Sequence, residues 1–292
     1  MEELQQHAQA NLDKLVHYFH SLNLVPNATK TNFTLFTNPP SGTLPLELTM
    51  PDGLHDPNLE QTNSAKLLGI YVQSTLKHHH TIANVVRKLQ HTIRLFRYAA
   101  TLLPKTYMIQ LYYTHAYPHL IGDISIWGTQ NINQDYILPL VRTHKRIIRT
   151  IFRQSPRTHS APLMCKHGLL NLEHLYTLRI CTEMHPFIYP TQPTNRPTND
   201  NTFIAITNVH THGTRYAAGH IFTPNPYKYS KQPPAHEIAH YTLLHNNIWN
   251  SLPMALSLQN SLPLFKIALK TYLLKTQSDQ HTLSLTHGHH LV

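Results

Sequence analysis

The hydrophobic residues of this chain of 292 residues change their spacing near residue 78, and that change limits the folds available to it. Beyond it, apolar residues recur at i, i+3, i+7, i+10 and i+14, namely Val86, Leu89, Ile93, Phe96 and Ala100. This is the spacing of an amphipathic helix, which Pro104 ends. Before it, short stretches alternate like strands. The sequence therefore predicts an α+β fold, short and mixed α/β at the start and mainly α-helical afterwards.

The first part of the chain predicts one helix and three strands. The helix runs from Leu4 to Leu22, with Leu12, Leu15, Val16 and Phe19 on one side. Strands are predicted for TNFTLFTN (31–38), LPLELTMPDG (44–53) and KLLGIYVQSTL (66–76). We expect this part to form the edge of a sheet domain.

The rest of the chain predicts helices separated by loops. Helices are expected from residue 78 to Pro104, from Thr106 to Tyr117, from about Asp135 to Arg153 and over 171–189. The third of these has one apolar side, formed by Leu140, His144, Ile147, Ile148 and Ile151. IGDISIWGTQ reads as a loop, and the Pro/Asn/Thr-rich stretch from residue 191 to 203 as a linker.

These patterns divide the chain into five expected segments. The first two are a mixed α/β segment over 1–76 and a basic helical domain over 77–190. A linker-like region over 191–235, a C-terminal helical piece over 236–276 and a disordered tail over 277–292 follow.

Positive charge is concentrated in the middle of the chain. Residues 66–190 hold fifteen Lys and Arg against four acids, a net charge of +11, whereas residues 1–65 carry −5. Such a concentration favours a polyanionic partner such as nucleic acid. A basic surface without a ligand is the alternative.

Arginine rows on two predicted helices carry this hypothesis further. On one helix, four arginines recur at i, i+4, i+7 and i+11: Arg142, Arg146, Arg149 and Arg153. On the other, Arg87, His91, Arg94 and Tyr98 share a face, and Arg97 lies nearby. Guanidinium groups bind phosphate oxygens through two hydrogen bonds each, so such rows suit a phosphate backbone. The predicted nucleic-acid-binding residues are the seven arginines; ordinary solvated helix faces are the alternative.

Composition also limits the compartment in which the protein is expected. The N-terminus is acidic and polar, unlike a secretory signal, and no apolar run approaches the roughly 18 residues of a membrane span. Two cysteines give no disulfide framework. We expect an intracellular protein, cytoplasmic or nuclear, that does not enter membranes.

Five segments, read in order, resemble the C-terminal part of the reverse transcriptases encoded by non-LTR retrotransposons, especially the Jockey-like group. They are VHYFHSLNLVPNATKTNFTLF (16–36), KLLGIYVQSTL (66–76), LYYTHAYPHLIGDISIWGT (111–129), LVRTHKRIIRTIFRQSPRTHSAPLMCKHGLLNLEHLY (140–176) and IWNSLP (248–253). The resemblance covers about residues 10–275. It implies the end of a palm, a helical thumb and a C-terminal extension of an RNA-directed DNA polymerase, a product of a transposable element.

The resemblance also implies roles for particular residues. Asn27, Lys30 and Thr31 match the Asn–x2–Lys-Thr core of a palm segment, where the family's lysine is thought to protonate departing pyrophosphate. Leu68 and Gly69 match the strand that opens the thumb and helps to grip the primer end. A solvated lysine is the alternative for Lys30.

The chain departs from the family at the catalytic centre. Polymerisation needs two Mg²⁺ ions held by palm aspartates, one of them in a Tyr-x-Asp-Asp turn. The sequence has no Asp-Asp pair, and Asp52 and Asp56 lie in a Pro/Gly-rich stretch typical of a surface turn. We therefore expect a fragment that lacks nucleotidyltransferase activity and holds no cofactor, but binds RNA, DNA or RNA–DNA hybrid. A stand-alone RNA/DNA-binding helical module is the alternative.

A third hypothesis comes from HEIAHY, residues 236–241, which resembles a zinc-peptidase signature. The metzincin pattern needs Gly at 243 and His at 246, where this chain has Leu243 and Asn246. A second group, Cys165, His167, His174 and Cys181, has spacings unlike those of usual zinc sites. We expect no metal site at either place.

Overall fold

The computed structural model describes residues 2–36, 46–51, 57–75, 78–128, 134–189, 203–205, 222–224, 245 and 247–288. Most of these residues are helical and a few form short strands, so the fold is α+β at a coarse level, as predicted. The chain forms two compact units, residues 1–81 and 82–292.

The first unit begins with helix α1, Glu2–Ser21, whose Val16 is buried. Val16 belongs to a small apolar cluster with Leu46, Leu48, Met50 and Leu59. The side-chain amide of Gln9 donates to the Thr49 carbonyl over 2.8 Å, and its oxygen accepts from the Thr49 amide over 3.0 Å. This pairing fixes an extended segment against α1.

The predicted strands are shorter than expected. Strand β1, Asn32–Phe33, pairs in parallel with β2, Glu60–Gln61. Within LPLELTMPDG the described residues form a single antiparallel bridge, between Thr49 and Asn58. At Thr49, the side-chain amide of Gln9 makes the two backbone hydrogen bonds that a neighbouring strand would otherwise make.

The prediction of one strand over residues 66–76 is wrong. The chain folds back into an antiparallel hairpin of β3, Ser64–Leu67, and β4, Ile70–Gln73. Leu68 and Gly69 form the two-residue turn, with φ of +49° and +97°. Positive φ at both positions is the type I′ turn that matches strand twist.

Helix α2, His79–Leu102, begins against this hairpin. The hydroxyl of Thr81 accepts from the Tyr71 amide over 3.0 Å. The apolar face predicted for α2 is confirmed, since Leu89, Ile93 and Phe96 are buried.

The single helix predicted for 106–117 is instead three segments. Helix α3, Lys105–Leu111, passes into a π-helical turn, Tyr112–Ala116, and then into α4, Tyr117–Ile121. Pro118 has no amide hydrogen to donate, so the regular i→i−4 bonding of an α-helix fails there. The expected loop IGDISIWGTQ contains helix α5, Ile124–Trp127, whose tryptophan is buried.

Three further helices complete the main part of the second unit. They are α6, Gln134–Ile151; α7, Ser160–Lys166; and α8, Leu172–Ile188. The predicted apolar side of α6 is confirmed, because all five of its members are buried. Asn171 caps α8 by accepting from the His174 amide over 2.8 Å.

The C-terminal residues belong to the same core. Strands β5, Phe203–Ala205, and β6, Phe222–Pro224, pair within the region predicted as a linker. Helices α9, Met254–Ser257, and α10, Leu262–Gly288, follow, and Trp249, Phe265 and Leu269 are buried in the helical core.

The tail predicted to be disordered from residue 277 continues α10 as far as Gly288. Gln277 is buried, accepting from the Asn171 amide over 2.8 Å and donating to the Leu169 carbonyl over 3.1 Å. These long-range bonds oppose fraying, and the local sequence pattern does not reveal them.

Candidate nucleic-acid interface

The exposed face of α2 carries arginines directly opposite its buried face. Arg87, Arg94 and Tyr98 lie at i, i+7 and i+11, which places them within about 40° of one another around the helix. All three are exposed, whereas Leu89 and Phe96 on the other side are buried. The amphipathic pattern thus holds the guanidinium groups toward solvent.

The positive charge on α2 has no acidic neighbours along the chain. From Gln61 to Gly122 the sequence contains no Asp or Glu. Across the described residues, the only ion pair of a Lys or Arg is Arg179–Glu183 on α8. No acid among the described residues therefore neutralises Arg87 or Arg94, although a terminal nitrogen of Arg87 donates to the side-chain oxygen of Asn84 over 2.8 Å.

Three of the four arginines in the row predicted on α6, Arg142, Arg146 and Arg153, are likewise exposed. The side chains of Arg142 and Arg146 make no hydrogen bond or ion pair with the part of the chain that the structure describes. The buried residues Leu140, His144 and Ile147 fix the opposite face.

The other two arginines of that row hold backbone carbonyls. The Arg149 Nε donates to the Thr158 carbonyl over 2.7 Å, and a terminal nitrogen of Arg153 donates to the Leu103 carbonyl over 2.6 Å. Arg153 has φ of +54° and lies beyond the end of α6. Two guanidinium groups of the predicted row thus bind backbone carbonyls, and one of these two, that of Arg153, is exposed as well.

Further cations gather where α2 gives way to α3. Arg153 binds the Leu103 carbonyl there, and Lys105 begins α3. Burial, followed by the charges of Lys166 and Lys105, lowers the pKa of His167. A neighbouring positive charge makes it harder for a histidine to take up a proton. Lys166 and Lys105 are therefore close enough to His167 to affect its charge, and the same cations would attract an anion.

A second histidine, His119, lies near a lysine of α2. Burial, followed by the charges of Lys88 and His115, lowers the pKa of His119 on α4. Lys88 of α2 therefore lies near His119, and an anion bound beside the two would favour protonation of that histidine.

Local hydrogen bonds hold Asn27 and Thr31, two of the residues on which the sequence resemblance rests. Asn27 caps the 3₁₀ turn Ala28–Lys30, its side chain accepting from the Lys30 amide over 3.2 Å. The Thr31 hydroxyl donates to the Asn27 carbonyl over 2.8 Å. Asn27 and Thr31 thus have a structural role that their sequence pattern does not reveal, while the Lys30 side chain is exposed. Leu68 and Gly69 lie in the turn of the hairpin.

The Cys and His residues considered for zinc lie in a packed region. Cys181 is buried and Cys165 partly buried, and both are free thiols. Burial raises the pKa of Cys181 to about 12. No group of three His, Cys, Asp or Glu among the described residues is arranged to hold a metal ion. HEIAHY, Asp52 and Asp56 lie outside the described residues.

A small cavity lies between the π-helical turn and α10. Its lining includes Tyr112, Tyr113 and Lys270, and its volume is about 20 Å³. That is room for about one water molecule, so this cavity does not bind an organic ligand. Nζ of Lys270, one of the lining residues, lies 3.3 Å from the Tyr113 hydroxyl.

No known protein family, curated protein or solved structure matches this chain. Of the helices in the described ranges, none combines the length and hydropathy that a membrane span requires.

Proposed function

We propose that this chain corresponds to the end of the palm, the thumb and a C-terminal extension of a Jockey-like retrotransposon reverse transcriptase. In this proposal it binds RNA, DNA or RNA–DNA hybrid through its helical unit, in the cytoplasm or nucleus. Five sequence segments in family order support it. A short mixed α/β unit followed by a helical unit is the order of elements that it requires.

The observation that carries nucleic-acid binding is the arginine face of α2. Its guanidinium groups are exposed in a stretch of sequence without acids, and Arg142 and Arg146 on α6 are exposed as well. Nucleic acid is the abundant polyanion whose regular phosphates suit rows of guanidinium groups. Because the sequence has no Asp-Asp pair, we propose binding without nucleotide incorporation, and no Mg²⁺ requirement.

The test is the salt dependence of binding to RNA–DNA hybrid and to DNA duplex, measured by fluorescence anisotropy. If about five phosphates are neutralised, affinity should fall by roughly two to three decades between about 50 and 200 mM salt. Replacing Arg87 and Arg94, or Arg142 and Arg146, by Gln should weaken binding and flatten the salt dependence by about two phosphates.

Lys14→Gln is the matched control, because Lys14 is an exposed cation in the acidic first unit and should leave affinity unchanged. Arg149 and Arg153 are kept intact in these variants, since both hold backbone carbonyls. Absence of salt-sensitive binding by the full chain would refute the proposal. Unchanged affinity of both double variants would remove these two faces from it.

A further inference from the structure

We infer that the exposed face of α2 binds single-stranded polynucleotide, with a base stacked on the ring of Tyr98. The inference rests on the proposed function and names the form of nucleic acid that this face prefers. Tyr98 is 69% exposed although it lies in the interior of a 24-residue helix. Across the described residues, no ring and no hydrogen-bond partner covers its side chain.

The charges around Tyr98 lie along the helix axis in both directions. Toward the N-terminus of α2, Arg94 is one turn away, about 6 Å along the axis, and Arg87 about 16 Å. The arginines and the tyrosine share one face, so a chain that contacts one of them passes the others.

Beyond Tyr98, the positive charge continues past the end of the helix. The guanidinium of Arg153 is bound to the Leu103 carbonyl, about 7 Å further along the axis. Lys105 and Lys166 lie close to His167 in the same region. These cations lie at the C-terminal end of α2, although Leu103 is about 140° around the helix axis from Tyr98. A polynucleotide that follows the exposed face toward Tyr98 would therefore meet positive charge again only at the end of the helix.

This arrangement distinguishes single strands from duplexes. A duplex presents phosphates to the arginines, but its bases are stacked on one another and cannot lie on a tyrosine ring. An unpaired base can stack on the ring. Aromatic side chains that stack with bases, next to a row of positive charges, are typical of single-strand binding. The exposed side chains of Leu95 and Leu102 border the ring and extend its apolar surface. Charge complementarity with this acid-free face favours a polynucleotide as the occupant.

The experiment compares the full chain with Tyr98→Ala and Tyr98→Phe, using oligothymidylate of about twelve nucleotides and a duplex of equal length. Tyr98→Ala should weaken single-strand binding about tenfold and duplex binding less than twofold. Tyr98→Phe keeps the ring and should retain single-strand affinity. The salt dependence should be the same in all three proteins, because no charge is changed.

Tyr18→Ala is the matched control, since Tyr18 is similarly exposed, at 58%, on α1. Circular dichroism of each variant should match that of the unchanged chain. Equal losses on single strand and duplex, or equal losses for Phe and Ala, would overturn the stacking inference while leaving the proposed function standing. A tenfold loss of poly-glutamate binding in Tyr98→Ala would assign the face to acidic polypeptide and also overturn it. Binding of no nucleic acid by the unchanged chain would refute the proposed function itself.

Discussion

Gly128 shows how one residue can be required by its lack of a side chain. It follows the buried Trp127 at the end of α5, and its amide donates to the Ile124 carbonyl over 2.7 Å. A Cβ at this position would meet that carbonyl oxygen and would lie 2.7 Å from Cδ2 of Tyr176. The Trp-Gly pair therefore has a packing reason that does not depend on any ligand.

We predict that Gly128→Ala destabilises the helical unit by about 1–3 kcal/mol, because either the buried Tyr176 or the α5 backbone must move. Denaturation followed by tryptophan fluorescence measures this, since both tryptophans, Trp127 and Trp249, are buried in that unit. Gly168→Ala is the control: its Cβ would have space, with the nearest atom at 3.9 Å, and would bear only the strain of φ +63°. A smaller effect at Gly128 than at Gly168 would contradict the packing argument.

At the scale of the element, the hairpin of β3 and β4 contains an unfavourable turn residue. Leu68 has φ of +49°, a left-handed conformation that strains its backbone. Its side chain is 96% exposed, so no burial of apolar surface offsets that strain. Asn-Gly is the preferred pair for a type I′ turn, because asparagine tolerates this conformation. The register Leu67↔Ile70 leaves no room for a longer loop.

We predict that Leu68→Asn stabilises the hairpin by about 1 kcal/mol, since it relieves left-handed strain. Hydrogen exchange is the measurement: the Ser74 amide, which donates to the Asn63 carbonyl, should exchange about fivefold more slowly. Leu67→Asn is the matched control, as Leu67 is 62% exposed but lies in the strand, and it should give no protection. Unchanged or faster exchange in Leu68→Asn would contradict the strain argument.

At the scale of the whole molecule, buried polar pairs tie the helices of the second unit together. The hydroxyl of Tyr112, in the π-helical turn, lies 3.0 Å from Nε2 of His144 on α6, and both residues are buried. Burial, with a smaller effect of Lys145, lowers the pKa of His144 to about 4. Burial likewise raises the pKa of Tyr112. Both groups are therefore neutral in the folded protein near pH 7.

This pair makes the stability of the helical unit depend on pH. The unfolded chain takes up a proton on this histidine near pH 6.5, whereas the folded protein does so only near pH 4. Stability from this group is therefore complete above about pH 6.5 and is lost as the pH falls toward 4, by about 3 kcal/mol. Tryptophan-detected denaturation at several pH values measures the loss.

The double variant His144→Leu/Tyr112→Phe should make that dependence shallower, because it removes one titrating group and leaves no unpaired hydroxyl. The part that remains comes from other histidines of the unit whose pKa burial lowers, such as His245, to about 4. Tyr112→Phe alone should keep the dependence, since burial of the histidine is its main cause. A double variant as sensitive to acid as the unchanged chain would contradict the assignment to His144.

The sequence by itself determined the α+β class, the position of the main helices and the buried faces of α2 and α6, because those faces follow from local helical periodicity. It also placed Arg87 and Arg94 on a solvent-exposed face for the same reason. Their binding of nucleic acid stays a prediction.

Only the tertiary structure decided which charges are available and where the chain reverses. Helical spacing treats Arg142 and Arg149 alike, but the carbonyl bound by Arg149 belongs to Thr158, beyond the helix, and that bound by Arg153 is fifty residues away. The turn at Leu68 likewise depends on strand pairing, and the order of α10 past Gln277 on bonds to Asn171 and Leu169. Periodicity reports which side of an element is apolar; it carries no information about the partner that a polar side chain meets from elsewhere in the chain.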